Sequence, residues 1–150
     1  MLDKIKQVAC VGSGLVGQGW GALFSLNGYE VVLQDLTSDK LEEAVKRVNH
    51  HIDVLTKAGM GSDPEAAKRR LYTNTNLEEA LKGTDFVIES VYENLELKQT
   101  LYSEMDKIAP ENVILASSTS GFMMSEINKD MGKHPERAIV AHPWNPVHLV

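Results

Sequence analysis

One short stretch of this chain implies a chemistry through its spacing: Gly12-Ser13-Gly14-Leu15-Val16-Gly17. It follows the apolar run Val8-Ala9-Cys10-Val11 and opens a helical pattern that runs from Leu15 to Leu26. Between a strand and a helix, a G-x-G-x-x-G gives each glycine its own task. Gly12 permits a tight turn, Gly14 lets backbone approach a pyrophosphate, and Gly17 lets the helix pack closely on the strands. The first helical N–H groups, at Leu15 and Val16, then offer an anion free donors and the positive end of the helix dipole. By itself the pattern is equally a tight turn with no ligand. A second residue tips the balance. Asp35 follows Val31-Val32-Leu33-Gln34, about 20 residues further on, where an acid accepts hydrogen bonds from ribose hydroxyls. It also repels a 2′-phosphate, and Leu36-Thr37-Ser38-Asp39 holds no arginine to bind one. NAD is favoured over NADP. The plain alternative for Asp35 is a helix-capping acid.

Three further clusters follow apolar runs. The segment Glu89-Ser90-Val91-Tyr92-Glu93-Asn94-Leu95-Glu96-Leu97-Lys98 reads locally as a solvated helix start, with acids in the first turn where the dipole favours them. Ser117-Ser118-Thr119-Ser120 offers four hydroxyls, either to a ligand or as an ordinary cap for the next helix. His142 comes after another apolar run and is followed by Pro143-Trp144-Asn145-Pro146. Each proline biases the residue before it, His142 and Asn145, toward extended backbone. Histidine titrates near neutrality and can take and return a proton. An isolated strand-end histidine is more often bonded to a carbonyl. The same plain reading applies to His50, His51, His134 and His148, which form no metal-ligand cluster with carboxylates or Cys10.

The elements that must position these residues alternate. Short apolar runs mark strands at Val8-Ala9-Cys10-Val11, Val31-Val32-Leu33, 71–75, Phe86-Val87-Ile88, 113–116 and 138–141. Between them lie helical patterns. Leu41, Ala44, Val45, Val48, Ile52 and Leu55 predict a long helix ending near Gly59, with Glu42/Lys46 and Glu43/Arg47 at i,i+4 on its outer side. Ser62-Asp63-Pro64-Glu65 starts another, with proline at its first position. Further helices are expected from Leu77 to Leu81, from Leu95 to Ile108 and over 123–131. Continuously apolar strands alternating with helices predict an α/β fold, a doubly wound and mostly parallel sheet covered on both faces. Such sheets bind ligands beyond the carboxyl ends of their strands, where the clusters above fall.

The bulk numbers narrow the classes. The chain has 150 residues, enough for one domain with a sizeable core. A net charge of −6 disfavours nucleic acid and anionic membrane as partners. No apolar run approaches membrane-spanning length, and the N-terminus has no signal-peptide core. The single cysteine, Cys10, cannot form an internal disulfide and lies in an apolar run, which points to a reduced, cytoplasmic setting.

Taken together, the segments GSGLVGQGW, Asp35, VIESVYENLELK, LASSTS and AHPWNP resemble the NAD-binding domain of the L-3-hydroxyacyl-CoA dehydrogenase family. They lie in the same order at similar spacing and cover nearly the whole chain. The resemblance implies a Rossmann-type domain with a helical insertion after strand two, here 37–70, and NAD as cofactor. It implies reversible hydride transfer at C3 of an L-3-hydroxyacyl substrate, a place in fatty acid metabolism, and a small-molecule partner. His142 matches the family's general base, Ser120 its substrate-oxygen serine, and Asn145 the asparagine beside cofactor and substrate. Glu93 and Lys98 match residues at the nicotinamide-side ribose. The family usually reads His-Phe-Phe-Asn-Pro and carries Asn where this chain has Ser118. SSTS and AHP-x-NP are more similar to the branch acting on free hydroxy acids, such as L-gulonate 3-dehydrogenase and carnitine dehydrogenase. The family also implies a glutamate that polarises the histidine, and an all-helical substrate and dimerisation domain, both beyond Val150. On that reading the full-length protein is a homodimer, and residues 1–150 alone bind NAD with little turnover. A reading of another class is a non-catalytic NAD(H)-sensing module, which would need the glycine loop and Asp35 but neither Ser120 nor His142 with Asn145.

Overall fold

The computed structural model describes residues 5–147, so His148 lies outside the described residues. Six strands form one all-parallel sheet in the order β3-β2-β1-β4-β5-β6. They are β1 (Gln7–Val11), β2 (Glu30–Gln34), β3 (Leu71–Asn74), β4 (Phe86–Glu89), β5 (Ile114–Ser117) and β6 (Ala138–Val140). The helices are α1 (Leu15–Leu26), α2 (Ser38–Lys57), α3 (Pro64–Arg69), α4 (Leu77–Leu81), α5 (Leu95–Ile108) and α6 (Met124–Ile127). The strand order reverses direction at β1 and β4, which makes the carboxyl ends of those two strands the switch point where a doubly wound sheet receives its ligand.

Strand alternation sorts the core into two halves. Val8, Cys10, Val31, Leu33 and Ile88 face one side, where Ala22 of α1 and Leu41, Ala44, Val48, Ile52 and Leu55 of α2 cover them. Ala9, Val11, Val87 and Leu115 face the other, under Leu81, Tyr102, Met105 and Ile127. Both faces are buried, which is why the central strands read as unbroken apolar runs. Cys10 is fully buried, and burial pushes its thiol up to about 12. No helix among the described residues is long and apolar enough to cross a membrane.

Most boundaries follow local chemistry. Thr37, Asp63, Asn76 and Asn94 cap α2, α3, α4 and α5 by accepting from the N–H three residues on. The expected helix over 123–131 is shorter: α6 ends at Ile127 and a 3-10 turn, Asn128–Asp130, continues it. A four-residue helix lacks the length to propagate on its own.

β6 is held by a long-range latch. The Arg137 guanidinium donates to the Asp106 carboxylate at 3.0 Å, to the Asp106 carbonyl at 2.8 Å, and to the carbonyl of Pro110. The Asp106 carboxylate also accepts from the N–H groups of Lys133 and His134, at 2.7 and 3.1 Å. Burial opposes the charged form of Asp106, but the Lys133 N–H, the Arg137 guanidinium and the His134 N–H outweigh it and hold its carboxyl below the usual range. Arg137→Met is expected to cost about 3 kcal/mol in chemical denaturation, because it leaves a buried charge short of its partner. A carboxyl lowered on folding stabilises fully above its unfolded value, about 4, and loses that contribution as the pH falls through the folded value. Asp106→Asn is therefore expected to flatten the loss of stability as the pH falls below about 4 in the same denaturation series.

Candidate active site

The loop after β1 is built by close approach of backbone. Gly12 has φ +93° and its N–H donates to Gln34 O at 2.9 Å. A Cβ at Gly12 would lie 2.7 Å from Ser90 O, and one at Gly17 would lie 1.9 Å from Gly12 O. Neither position accepts a side chain. Gly14 differs: a Cβ there would meet nothing within 4 Å, so the space beside it is open. Gly14 is also the N-cap of α1, without a side-chain cap and without an acid in the first turn. The N–H groups at Leu15 and Val16 begin that helix. The open approach at Gly14 and the uncapped positive end of α1 fit a pyrophosphate.

Asp35 completes this corner. Its Oδ2 accepts from the Ser13 N–H at 3.0 Å and the Ser13 hydroxyl at 2.8 Å. Its Oδ1 accepts from the Leu36 N–H at 2.8 Å and lies 3.4 Å from Lys40 Nζ. Burial opposes the carboxylate, but the Ser13 and Leu36 N–H groups, the Ser13 hydroxyl and Lys40 hold its pKa below the usual value. Thr37, not Asp35, caps α2, which removes the helix-cap alternative. Ser13 was not singled out from the sequence, since the variable position of a glycine loop carries no signal of its own.

The loops after β4 and β5 are bound together. Glu93 Oε1 accepts from the Thr119 hydroxyl at 2.5 Å and from the N–H groups of Ser120 and Gly121 at 3.0 Å each. Burial opposes its charged form, and these donors together with Lys98 outweigh it, holding the carboxyl below the usual range. Lys98 does not sit on a solvated helix start. It is 1% exposed, with Nζ 2.7 Å from Glu89 Oε1 and 3.4 Å from Glu93 Oε2. Its ammonium is turned inward, toward two carboxylates. The serine motif is not a cap for α6 either, because the N-cap is Met123 and its N–H donates to the Glu126 carboxylate at 3.0 Å. Ser118 receives the Trp20 indole N–H at 3.1 Å and meets Ser90 Oγ at 3.0 Å, so it ties α1, β4 and β5. Ser120 itself is exposed.

The His142 segment follows β6. The Ala141 N–H donates to Ser117 O at 2.9 Å, which brings the start of the serine loop beside the histidine loop. His142 and Asn145 are exposed. The Trp144 ring, 75% exposed, stands edge-on to the His142 ring with centroids 6.3 Å apart. All the candidate residues therefore lie at or just beyond the carboxyl ends of β1, β2, β4, β5 and β6.

Residues 7–150 match the family model described as 3-hydroxyacyl-CoA dehydrogenase, NAD binding domain. The chain belongs to the 3-hydroxyacyl-CoA dehydrogenase family. Within it, the chain is 36% identical over 148 residues to L-carnitine dehydrogenase of Streptomyces coelicolor, covering 99% of this chain and 46% of that protein. It is 39% identical over 148 residues to L-carnitine dehydrogenase of Nocardiopsis dassonvillei, covering 99% and 44%. Among solved structures it resembles (S)-3-hydroxybutyryl-CoA dehydrogenase from Ralstonia eutropha, with TM-score 0.89 and 32% identity over 98% of this chain and 52% of that one. The chain thus spans about half the length of the relatives it matches. As an NAD-binding domain of this family of oxidoreductases, it takes NAD as cofactor. The open space at Gly14 and the charged Asp35 fit that cofactor. Asp35→Ala is expected to weaken NADH binding about tenfold, the worth of one charge-assisted hydrogen bond, and to raise NADPH affinity relative to NADH. Fluorescence titration of both nucleotides checks it.

Proposed function

We propose that this region is the cofactor half of a dehydrogenase that interconverts a hydroxyl and a ketone at C3 of a small substrate. The observation that carries the reading is the convergence of the serine and histidine loops beside the glycine loop, joined by the Ala141 N–H to Ser117 O bond. NAD, when bound, supplies the hydride acceptor or donor, and the chain supplies position and proton transfer. Gly14, Leu15 and Val16 would receive its pyrophosphate, with Gly12 and Gly17 shaping the turn that brings them there, and Asp35 would hold its adenosine ribose. Glu93 and Lys98 belong to the nicotinamide side, with Lys98 acting from its buried place behind Glu93. His142 removes the hydroxyl proton in oxidation and returns it in reduction. Ser120 donates a hydrogen bond to the substrate oxygen, and Asn145 holds its place beside cofactor and substrate.

Family membership supports an L-3-hydroxyacyl-CoA substrate, and with it a place in fatty acid metabolism. One observation favours a free 3-hydroxy acid instead. The matching L-carnitine dehydrogenases reach 36 and 39% identity, whereas the 3-hydroxybutyryl-CoA dehydrogenases from Escherichia coli and Ralstonia eutropha stand at 28 and 32%. The Pro143-Trp144 and Ser118 variants of the two motifs agree with that branch. We further infer a cytoplasmic homodimer whose second, helical domain is contributed by sequence after Val150. The buried thiol of Cys10 accords with a reducing compartment.

In the protein that includes the helical domain, His142→Gln is expected to lower kcat at least a hundredfold with NADH affinity retained. Steady-state kinetics on L-carnitine, L-gulonate, 3-hydroxybutyrate and acetoacetyl-CoA, with NADH titration in parallel, read both quantities. Unchanged turnover would remove His142 from the mechanism, whereas a wild type that binds NADH but turns over none of these substrates would favour a non-catalytic NAD(H) sensor.

A further inference from the structure

The buried pair Glu89–Lys98 does more than join a strand to a helix. Glu89 is the last residue of β4 and the register partner of Ser117 on β5. Its Oε2 accepts from the Ser117 hydroxyl at 2.6 Å. Its Oε1 accepts from the Val91 N–H at 2.7 Å and from Lys98 Nζ at 2.7 Å. Glu89 is 0% exposed and Lys98 1%, so neither can exchange its partner for water. Lys98 Nζ also reaches Glu93 Oε2 at 3.4 Å. Glu93 sits at the rim, and its other oxygen receives the Thr119 hydroxyl and the Ser120 and Gly121 N–H groups. Among the described residues Lys98 is the cation paired with Glu93. The contacts therefore run from the floor of the sheet to the loop that carries Ser120.

The direction of control follows from burial. An ammonium has three donors and would follow a half-exposed carboxylate outward if nothing held it. Here a fully buried carboxylate, itself fixed by two other donors, holds it inward. Glu93 must come to the ammonium, and its Oε1 is thereby presented to the loop.

We propose that Glu89 is a positioning residue for the active site: it anchors Lys98, Lys98 anchors Glu93, and Glu93 fixes the backbone of Ser120 and Gly121. The proposal rests on the reading of Ser120 as a substrate-contacting hydroxyl. A mere staple between β4 and α5 would contribute to overall stability and leave the Ser120 loop to itself.

The test is amide hydrogen exchange on the 15N-labelled 150-residue chain, comparing wild type with Glu89→Gln/Lys98→Met, which removes both buried charges at similar side-chain size. The expected result is exchange at least tenfold faster at Ser120 and Gly121, with shifted amide resonances. The amides of Lys133 and His134, held by Asp106 elsewhere, should be unchanged. A folded double variant with unaltered Ser120 and Gly121 amides overturns the positioning role. If that variant does not fold, Glu93→Gln runs the test from the exposed end. It should release the same two amides and shift the Lys98 ammonium resonance, since coupling between linked groups is reciprocal. A Lys98 resonance that does not move overturns the proposal. None of these readouts needs a ligand. NADH titration of the wild type is separate, and its failure would count against the functional reading alone.

Discussion

A lysine and a glutamate with no access to water organise the centre of this domain. Glu89 and Lys98 meet at 2.7 Å at the end of β4, with the Ser117 hydroxyl of β5 and the Val91 N–H also donating to the carboxylate. Burying two charges costs several kcal/mol per ion unless geometry and further hydrogen bonds compensate. An apolar pair of equal volume would hold β4, β5 and α5 together at no such cost. What the apolar pair lacks is direction. A buried ion pair with donors on both carboxylate oxygens favours one arrangement, and the loops after β4 and β5 leave the sheet from that arrangement. The register of Glu89 with Ser117 thereby becomes the shared origin for the Glu93 and Ser120 segments.

The architecture was legible because both faces of the sheet are buried. Alternation of apolar runs with helical periods left few other ways to pack, and the Ser62-Asp63-Pro64-Glu65 signal marks where α3 starts, with Asp63 as its cap. The glycine loop and Asp35 were legible because backbone approach restricts residue type at fixed spacing. The Glu89–Lys98 pair was not. Nine positions apart, across a strand end and a helix start, an acid and a lysine look like any solvated helix entry. Only the register of β4 against β5 and the first turn of α5 turn both side chains inward. Ser13 and Ser90 escaped notice for a related reason, since a small hydroxyl acquires meaning only from the group folded against it.

Charge is distributed in a consistent way around the carboxyl edge. At the β1–β2 corner the positive end of α1 is uncapped while Asp35 is kept ionised by Ser13, Leu36 and Lys40. At the β4–β5 corner Glu93 is kept ionised by Thr119, Gly121, Lys98 and Ser120. Two carboxylates held in their charged form thus stand at two corners of this edge, with a bare helix end at one of them. On the function proposed above, these carboxylates would accept from the two riboses of a dinucleotide and the helix end would face its pyrophosphate, and preset groups suit that better than a mobile set of side chains would.

The histidine segment meets a harder mechanical problem. β6 has three residues and, among the described residues, pairs only with β5, and its Ile139 and Val140 are each 42% exposed. So short an edge strand gains little from its own pairing. The strand is secured instead from its first end, where Arg137 donates to carbonyls at the C-terminal end of α5 and to the Asp106 side chain. A cation on the last carbonyls of a helix is favoured by the dipole and satisfies acceptors that have no partner within the helix. Arg137 thus caps α5 from outside while fixing where β6 begins. Three extended residues then carry the backbone about 10 Å along the sheet, and the Ala141 N–H to Ser117 O bond sets the far end. His142 is consequently placed by two anchors, one at each end of β6, rather than by burial of its own ring. That division leaves the imidazole exposed while its backbone stays in register with the serine loop.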